Sequence, residues 1–581
     1  MKFLRNLLAS ILGFFIAIFL LFVFFFAIAS IVGAEEKVVV KSNSVLELDL
    51  STPIKDYAPK ENNPIAEALE LTDEKLALNK IINAIENAKT DDKIKGISIK
   101  TPFINAGIAQ IQAIRNKIEE FKESGKFVYA YNDIYTQKNY YLSSVADSLF
   151  LNPIGVIDFR GLSTEILYFK DFEDKYGIKM EVVRHGKYKS AVEPFLENEM
   201  SEANREQTTS FLKSIWSEIT DDISKSRNIS IEKLNLIADN YNGRNVTVAK
   251  ENNLIDASIY EDEYKEKLAM GSDKKVNTIS IEDYISSGKG RISSTAKDKI
   301  AVIYAQGDII YGEGSKDFIG QGIINKAIRK ARKDTNVKAI VLRVNSPGGN
   351  ALASELIWRE LELTKKEKPI VVSMGNYAAS GGYYIACNAS KIFAEPTTIT
   401  GSIGVFGAIP NFSQFTDKIG INAEQVSTNN SPSYSVFEPM NKKFYDVTKE
   451  GIEGMYTTFV NRVSAGRNMT FEQVNEIAQG RVWTGKEAIK NGLVDQLGGL
   501  NDAIKAAAEL AELENYKVRN YPNYKTDLKE ALKFSPFMKA SKKEILKETL
   551  GDENYQLYYN IHKMKNLKGI QARIPFIFQV K

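Results

Sequence analysis

The stretch Ala378-Ala379-Ser380-Gly381-Gly382-Tyr383-Tyr384 has the pattern of a turn from a strand into a helix. It follows the apolar run Val371-Val372-Ser373-Met374, which is typical of a buried strand. Two glycines after the serine permit a tight turn, so the Ser380 hydroxyl is expected at the amino terminus of the helix. Unpaired backbone N–H groups at such a terminus favour a developing negative charge. The stretch therefore indicates a reactive serine at a strand–helix junction.

The residues on either side of this turn alternate between strand and helix patterns. Residues 337–344 and 392–394 are short apolar runs typical of strands, and residues 351–365 have the apolar spacing of a helix. Strand, helix and strand in this order predict an α/β fold with a mainly parallel sheet flanked by helices.

A second glycine-rich turn, Asn345-Ser346-Pro347-Gly348-Gly349-Asn350, precedes the serine by about 35 residues. Either motif alone fits an ordinary tight turn. Together, on neighbouring strands of one sheet, they favour a site that binds an oxyanion. We expect the N–H of Gly381 to be one donor and that of Gly348 or Gly349 to be the other.

The chain carries two copies of one ancestral unit. Matched pairs include Tyr140-Tyr141 with Tyr383-Tyr384, Arg227-Asn228 with Arg467-Asn468, and Leu254-Ile255-Asp256 with Leu493-Val494-Asp495. This alignment places Gln137 where a first-half serine would lie and Tyr434 where a second-half counterpart of Lys189 would lie. A repeat of this length predicts two similar domains, at residues 45–285 and 300–515, joined by a linker at 286–299. A lysine-rich tail at 516–581 follows, with a helix predicted around residues 527–550.

We expect the general base to come from the first copy, within Tyr188-Lys189-Ser190-Ala191-Val192-Glu193-Pro194-Phe195. Burial there would lower the pKa of Lys189 toward neutrality and let it accept the serine proton. Lys187, two residues away, is expected to be a surface charge. His185 is expected to be a loop or surface residue. Ser402, in Thr400-Gly401-Ser402-Ile403-Gly404, is expected either to form the turn or to help hold the lysine or the substrate backbone.

Composition and the amino terminus limit which classes of protein fit this sequence. A net charge of +3 with mixed signs along 581 residues gives no basic stripe for nucleic acid. One cysteine, Cys387, excludes an internal disulfide, and two histidines leave too few ligands for a zinc site. Lys2 and Arg5 precede an uncharged apolar run at 6–34, which predicts a membrane anchor within residues 1–35. Positive charge before the run places the amino end in the cytoplasm and the rest outside it.

These motifs in this order resemble the signal peptide peptidase A family (peptidase family S49), in its long, duplicated, membrane-anchored form. The resemblance covers roughly residues 45–510. It implies tandem Clp-protease/crotonase-like domains and a serine–lysine dyad, with Ser380 as the nucleophile and Lys189 as the general base. It also implies a homotetramer on the outer face of the bacterial cytoplasmic membrane that hydrolyses cleaved signal peptides. No metal or organic cofactor is implied.

Two other functions fit parts of the pattern. A crotonase-like enzyme acting on acyl thioesters would share the fold and the paired oxyanion donors. A membrane scaffold would use the duplicated domains only to bind partners. The membrane anchor and the serine at the helix start argue against the acyl-thioester enzyme.

Overall fold

The computed structural model describes residues 2–32, 38–59, 76–269, 276–430, 434–524 and 571–573. The helices are α1 Lys2–Val32, α2 Leu78–Thr90, α3 Ile108–Lys122, α4 Gln137–Ser143, α5 Lys170–Tyr176, α6 Glu202–Arg227, α7 Ile231–Asp239, α8 Val246–Glu251, α9 Glu261–Leu268, α10 Ile281–Tyr284, α11 Gln321–Lys333, α12 Ala351–Lys365, α13 Gly381–Ala386, α14 Ser413–Lys418, α15 Lys442–Arg467, α16 Phe471–Ile477, α17 Gly485–Lys490 and α18 Leu500–Leu510. A 3₁₀ turn covers Ser190–Phe195, and a π turn covers Ile285–Lys289.

The strands of the first half are β1 Ser44–Leu48, β2 Ile54–Lys55, β3 Leu76–Ala77, β4 Ile94–Ile99, β5 Phe127–Tyr135, β6 Ser148–Ile157, β7 Lys179–His185, β8 Ala257–Ser258 and β9 Asn277–Ser280. Those that follow are β10 Lys299–Gln306, β11 Asp308–Ile310, β12 Phe318–Gly320, β13 Val337–Ser346, β14 Gly348–Asn350, β15 Ile370–Ala379, β16 Lys391–Ala394, β17 Ile399–Gly401, β18 Val405–Asn411, β19 Val482–Thr484, β20 Gln496–Leu497, β21 Lys517–Tyr521 and β22 Gln571–Arg573.

Two parallel sheets of the same topology form the body of the molecule. The first has the order β8-β6-β5-β4-β1-β9. The second contains the matching parallel path β20-β16-β15-β13-β10-β21. The predicted α/β fold with a mainly parallel sheet is therefore observed in each half. Strand β21 extends the second sheet past residue 515, where the sequence pattern placed the start of the tail.

Equivalent side chains make equivalent contacts in the two halves. The Tyr140 hydroxyl donates to the Leu254 carbonyl at 3.1 Å, and the Tyr383 hydroxyl donates to the Leu493 carbonyl at 2.9 Å. Ion pairs also match, because Arg227 binds Asp256 at 3.0 Å as Arg467 binds Asp495 at 2.5 Å. Buried tyrosines need a partner for the hydroxyl. These contacts explain why the paired residues recur in the sequence.

A third sheet joins the two halves and was not predicted from the sequence. Its order is β12-β11-β14-β22-β18-β7. Strand β7 of the first half runs antiparallel to β18 of the second, with His185 opposite Val405. Strand β22 lies between β14 and β18. This sheet fixes the first half against the second at the place where both glycine-rich turns lie.

A buried ion pair also crosses between the halves. Arg343 on β13 contacts Asp56 just after β2 at 3.1 Å, and both side chains are almost completely buried. The guanidinium also donates to Ser373 Oγ at 2.8 Å and to the Met374 carbonyl at 2.7 Å. These hydrogen bonds offset the desolvation of the two charges.

The predicted membrane anchor is not confirmed. Within the described part of the chain, no helix was found to be long and apolar enough to cross a membrane. The predicted run, 6–34, extends beyond the last residue of α1, Val32. The helix predicted around residues 527–550 lies outside the described residues.

Candidate active site

Ser380 lies at the junction between β15 and α13, as the sequence predicts. Its backbone has φ 54° and ψ −118°, in the region that favours glycine. Such a conformation costs roughly 1–3 kcal/mol and persists only where the surroundings hold it. The Ser380 N–H donates to the Gly401 carbonyl at 2.8 Å, and the Ser380 carbonyl accepts from Tyr384 N at 2.8 Å. These bonds hold the hydroxyl at the start of α13.

Lys189 reaches the serine because β7 pairs with β18. Three residues after β7, the chain is held to the second half by a hydrogen bond from Tyr188 N to the Gln479 carbonyl at 2.8 Å. The Lys189 Nζ then donates to Ser380 Oγ at 2.9 Å. It also donates to Ser402 Oγ at 3.0 Å and to the Ser402 carbonyl at 3.1 Å.

The surroundings of Lys189 disfavour its charged form. The side chain is completely buried, and its three hydrogen-bond acceptors are neutral oxygens. Its aliphatic part packs against Gly404, and its Cα lies against Gly480. Burial lowers the pKa of Lys189 well below its usual range. A neutral amine beside a hydroxyl is able to accept a proton from it.

Ser402 combines the two roles expected of it. Its backbone has φ 50°, and its N–H donates to the Arg481 carbonyl at 2.7 Å, so it forms a turn. The same turn directs its hydroxyl and its carbonyl oxygen toward the Lys189 Nζ. Two acceptors on one residue fix the direction of the amine.

The two glycine-rich turns lie side by side, and Gly348, Gly349 and Gly381 line a recess that we call the niche. Gly348 has φ 106°, and its N–H donates to Ser346 Oγ at 3.2 Å. The backbones of these glycines lie so close together that a Cβ atom added to one would contact the next. A Cβ on Gly381 would lie 3.2 Å from Gly349 N, and a Cβ on Gly348 would lie 2.9 Å from Gly381 N. Of the alternatives left open by the sequence, Gly349 and Gly381 thus place their N–H groups together.

A segment of the chain itself occupies this niche. Strand β22 runs antiparallel to β14, with Ala572 opposite Gly349 and Arg573 opposite Gly348. The Ala572 carbonyl oxygen lies 3.1 Å from the Cβ position of Gly381, and a Cβ on Gly348 would overlap it. A peptide carbonyl therefore lies beside the Gly349 and Gly381 N–H groups. No feature of the sequence around residue 571 predicted this position.

The other candidates lie away from the niche. Lys187 is exposed, with its amine 5.2 Å from the centre of the Tyr188 ring. His185 stacks on Tyr456, with ring centres 3.9 Å apart, and burial lowers its pKa. The position of Lys187 matches the surface role expected of it. The expectation of a loop or surface position for His185 is wrong, because this residue ends β7, pairs with Val405 and is partly buried.

The equivalent place in the first half is filled by an amide. Gln137, which the repeat aligns with Ser380, is the first residue of α4, whereas Ser380 immediately precedes α13. Its side-chain oxygen accepts from Arg160 N at 3.0 Å and Gly161 N at 2.9 Å, and its nitrogen donates to the Gly161 carbonyl at 2.8 Å. Tyr434 donates to the Pro410 carbonyl at 2.7 Å. In the described residues these two side chains serve structural contacts.

Comparison with known proteins identifies the class. The model of peptidase family S49 matches residues 120–277 and 362–514. The chain is 40% identical over 450 residues to Protease 4 of Haemophilus influenzae, covering 75% of this chain and 73% of that protein. It is 34% identical to the chloroplastic serine protease SPPA of Arabidopsis thaliana, covering 82% of this chain and 70% of that protein.

The chain therefore belongs to peptidase family S49. Two separate matches to one family model confirm the predicted duplication, and the prediction of a serine protease is confirmed at the level of the family. The acyl-thioester enzyme and the non-catalytic scaffold are thereby set aside. Among solved structures, a ClpP1 variant from Listeria monocytogenes aligns with a TM-score of 0.24 and 16% identity, covering 35% of this chain and 94% of its own.

Proposed function

We propose that the chain hydrolyses peptide bonds with Ser380 as the nucleophile and Lys189 as the general base. The observation that carries this proposal is the 2.9 Å hydrogen bond between Lys189 Nζ and Ser380 Oγ in a fully buried setting. A serine hydroxyl is a weak nucleophile until an adjacent base removes its proton. The lowered pKa of Lys189 supplies such a base without a histidine.

The reaction follows from these positions. Neutral Lys189 accepts the proton of Ser380 Oγ while the oxygen attacks the peptide carbonyl carbon. The ammonium then donates that proton to the departing amine, and an acyl ester remains on Ser380. Lys189 next takes a proton from water as the water oxygen attacks the ester, and it returns this proton to Ser380 Oγ as the acyl–oxygen bond breaks and the acid leaves. Ser402 keeps the amine directed at the serine through both halves of the cycle.

We assign the oxyanion hole to the N–H groups of Gly381 and Gly349, with Gly348 shaping the turn. Preorganised N–H donors stabilise the tetrahedral intermediate without having to reorient, and one such donor is worth about 10²–10³ in rate. Support comes from the Ala572 carbonyl, which lies in the same niche as a substrate carbonyl would.

Substrates are proposed to bind as an extended strand between β14 and β18. The backbone groups of these strands already pair with β22 in this way. Strand addition gives affinity through the main chain and so tolerates many sequences. Apolar peptides, including cleaved signal peptides, are the substrates implied by the family resemblance. Each half is proposed to be a Clp-protease/crotonase-like domain with the boundaries given above.

We also propose that α1 attaches the protein to a membrane. Large apolar side chains along it are exposed, including Phe3, Phe14, Phe15 and Phe19. Such a surface is suited to lipid rather than water. The single-pass topology remains a prediction from the sequence, and the homotetramer remains one from the family resemblance. Alkaline extraction of membranes tests attachment: the full chain is expected in the pellet, and its release into the supernatant would contradict the proposal.

Trapping the acyl enzyme tests the chemistry. The full chain is mixed with the p-nitrophenyl ester of a short apolar peptide, quenched with acid and analysed by mass spectrometry. The expected adduct has the mass of the acyl group and maps to Ser380. It should be absent from Ser380→Ala, and an adduct on any other residue would refute the assignment.

A further inference from the structure

Arg573, the residue after Ala572, forms an ion pair that has no part in the proposed reaction of Ser380 and Lys189. Arg573 Nη2 lies 3.0 Å from Asp308 Oδ1. Both side chains are largely buried, with 15% of the arginine and 11% of the aspartate side chain exposed. A buried carboxylate is costly unless it is paired, so Asp308 defines a place for a cation.

Asp308 is held rigidly with respect to the niche. It begins β11, which runs parallel to β14 through the pairing of Ile309 with Gly349. The carbonyl oxygen of the preceding residue, Ala572, lies in the niche of Gly349 and Gly381. The register of β22 therefore puts a carbonyl at the oxyanion hole and the next side chain at Asp308.

We propose that Asp308 selects peptides that carry a basic residue immediately after the scissile bond. This inference rests on the proposed function and on substrates binding in the same place and direction as β22. In this register the bond that breaks joins the carbonyl carbon in the niche to the nitrogen of the basic residue. The acyl part stays on Ser380, the nitrogen receives the proton from Lys189, and water later releases the acid.

The surroundings favour arginine over a neutral residue. A guanidinium forms charge-assisted hydrogen bonds with a carboxylate, and these are stronger than neutral ones. A neutral side chain of the same shape would form a weaker, uncharged hydrogen bond with Asp308. The expected advantage of arginine is about tenfold in kcat/KM.

Three matched peptides test the proposal with the full-length enzyme. They share one apolar sequence and one Ala before the scissile bond, and differ only in the next residue: arginine, its neutral isostere citrulline, or glutamate. The measured quantity is kcat/KM, with the cleavage site located by mass spectrometry. The wild-type enzyme should prefer arginine to citrulline about tenfold and should disfavour glutamate. This comparison needs no variant to fold.

Two variants extend the test. In Asp308→Asn the ratio of arginine to citrulline should fall toward one, and in Asp308→Lys the preference should shift toward glutamate. A wild-type ratio near one, with cleavage that depends on Ser380, would overturn this inference and leave the proposed function in place. If Ser380→Ala cleaves as well as the wild type, or if no peptide is cleaved, the proposed function fails and this inference with it.

Discussion

The Lys189 amine lies 2.9 Å from the Ser380 hydroxyl, although 191 residues separate them in the chain. Each half of the duplication contributes one of the two groups, and the equivalent positions hold Gln137 and Tyr434. One chain thus builds one complete dyad from two copies of a unit.

Removal of either dyad residue is expected to abolish turnover. Lys189→Ala should lower kcat for an apolar peptide by about 10²–10⁴-fold, the usual contribution of general acid–base catalysis. Ser380→Ala should lose at least as much. Lys187→Ala is the matched control, because Lys187 is exposed and two residues away. If Lys187→Ala is the inactive variant, the choice of base is wrong.

Activity should fall on the acid side. Since burial lowers the pKa of Lys189 and only the neutral amine accepts the serine proton, kcat/KM should decline as the pH falls through that lowered pKa. Above it, the rate should be level until another group titrates. The pH profile of kcat/KM measures this. A rate that rises only near the ordinary lysine pKa of about 10.4 would contradict the burial of the amine.

The stability of the fold, like catalysis, should decline as the pH falls. In the unfolded chain Lys189 is protonated below its ordinary pKa, whereas burial in the folded chain disfavours protonation. The free energy of unfolding therefore decreases as the pH falls below the ordinary lysine pKa. Lys189→Met, which removes the titration, should raise the melting temperature at pH 7. The gain should shrink toward pH 10. Thermal unfolding at both pH values checks this, and a destabilised Lys189→Met at pH 7 would speak against it.

The buried ion pair between the halves should dominate their docking. Asp56→Ala leaves Arg343 buried without its carboxylate and should cost about 3–5 kcal/mol. The exposed pair of Lys442 and Asp446 gives the control, since Asp446→Ala should cost under about 1 kcal/mol. Denaturant unfolding of both variants measures the difference. Equal effects would mean that the buried pair does not hold the halves together.

Strand β22 should compete with substrates for the niche. Arg573→Gln removes its ion pair with Asp308 and should weaken this competition, so the KM for an added peptide should fall by up to about tenfold. The value of kcat should change little, because the dyad is untouched. Steady-state kinetics on one peptide provide the comparison. An unchanged KM would indicate that β22 does not exclude substrate.

The local elements could be predicted because short-range patterns determine them. The helix predicted at 351–365 is α12, and the apolar run at 371–374 lies within β15. The turn at Ser380 was predictable since two glycines follow a buried strand. The contact of Lys189 with Ser380 was expected only because each copy retains the reactive residue that the other lacks. No spacing in the sequence specifies this contact.

The sequence by itself determined the duplicated α/β unit, the serine turn and the chemical types of the reacting groups, because periodicity and glycine placement act over a few residues. Only the tertiary structure decided that β7 pairs with β18, that the Gly348 N–H donates to Ser346 Oγ, and that β22 pairs with β14. These outcomes depend on hydrogen bonds between segments far apart in the chain. Only burial in the assembled fold lowers the pKa of Lys189.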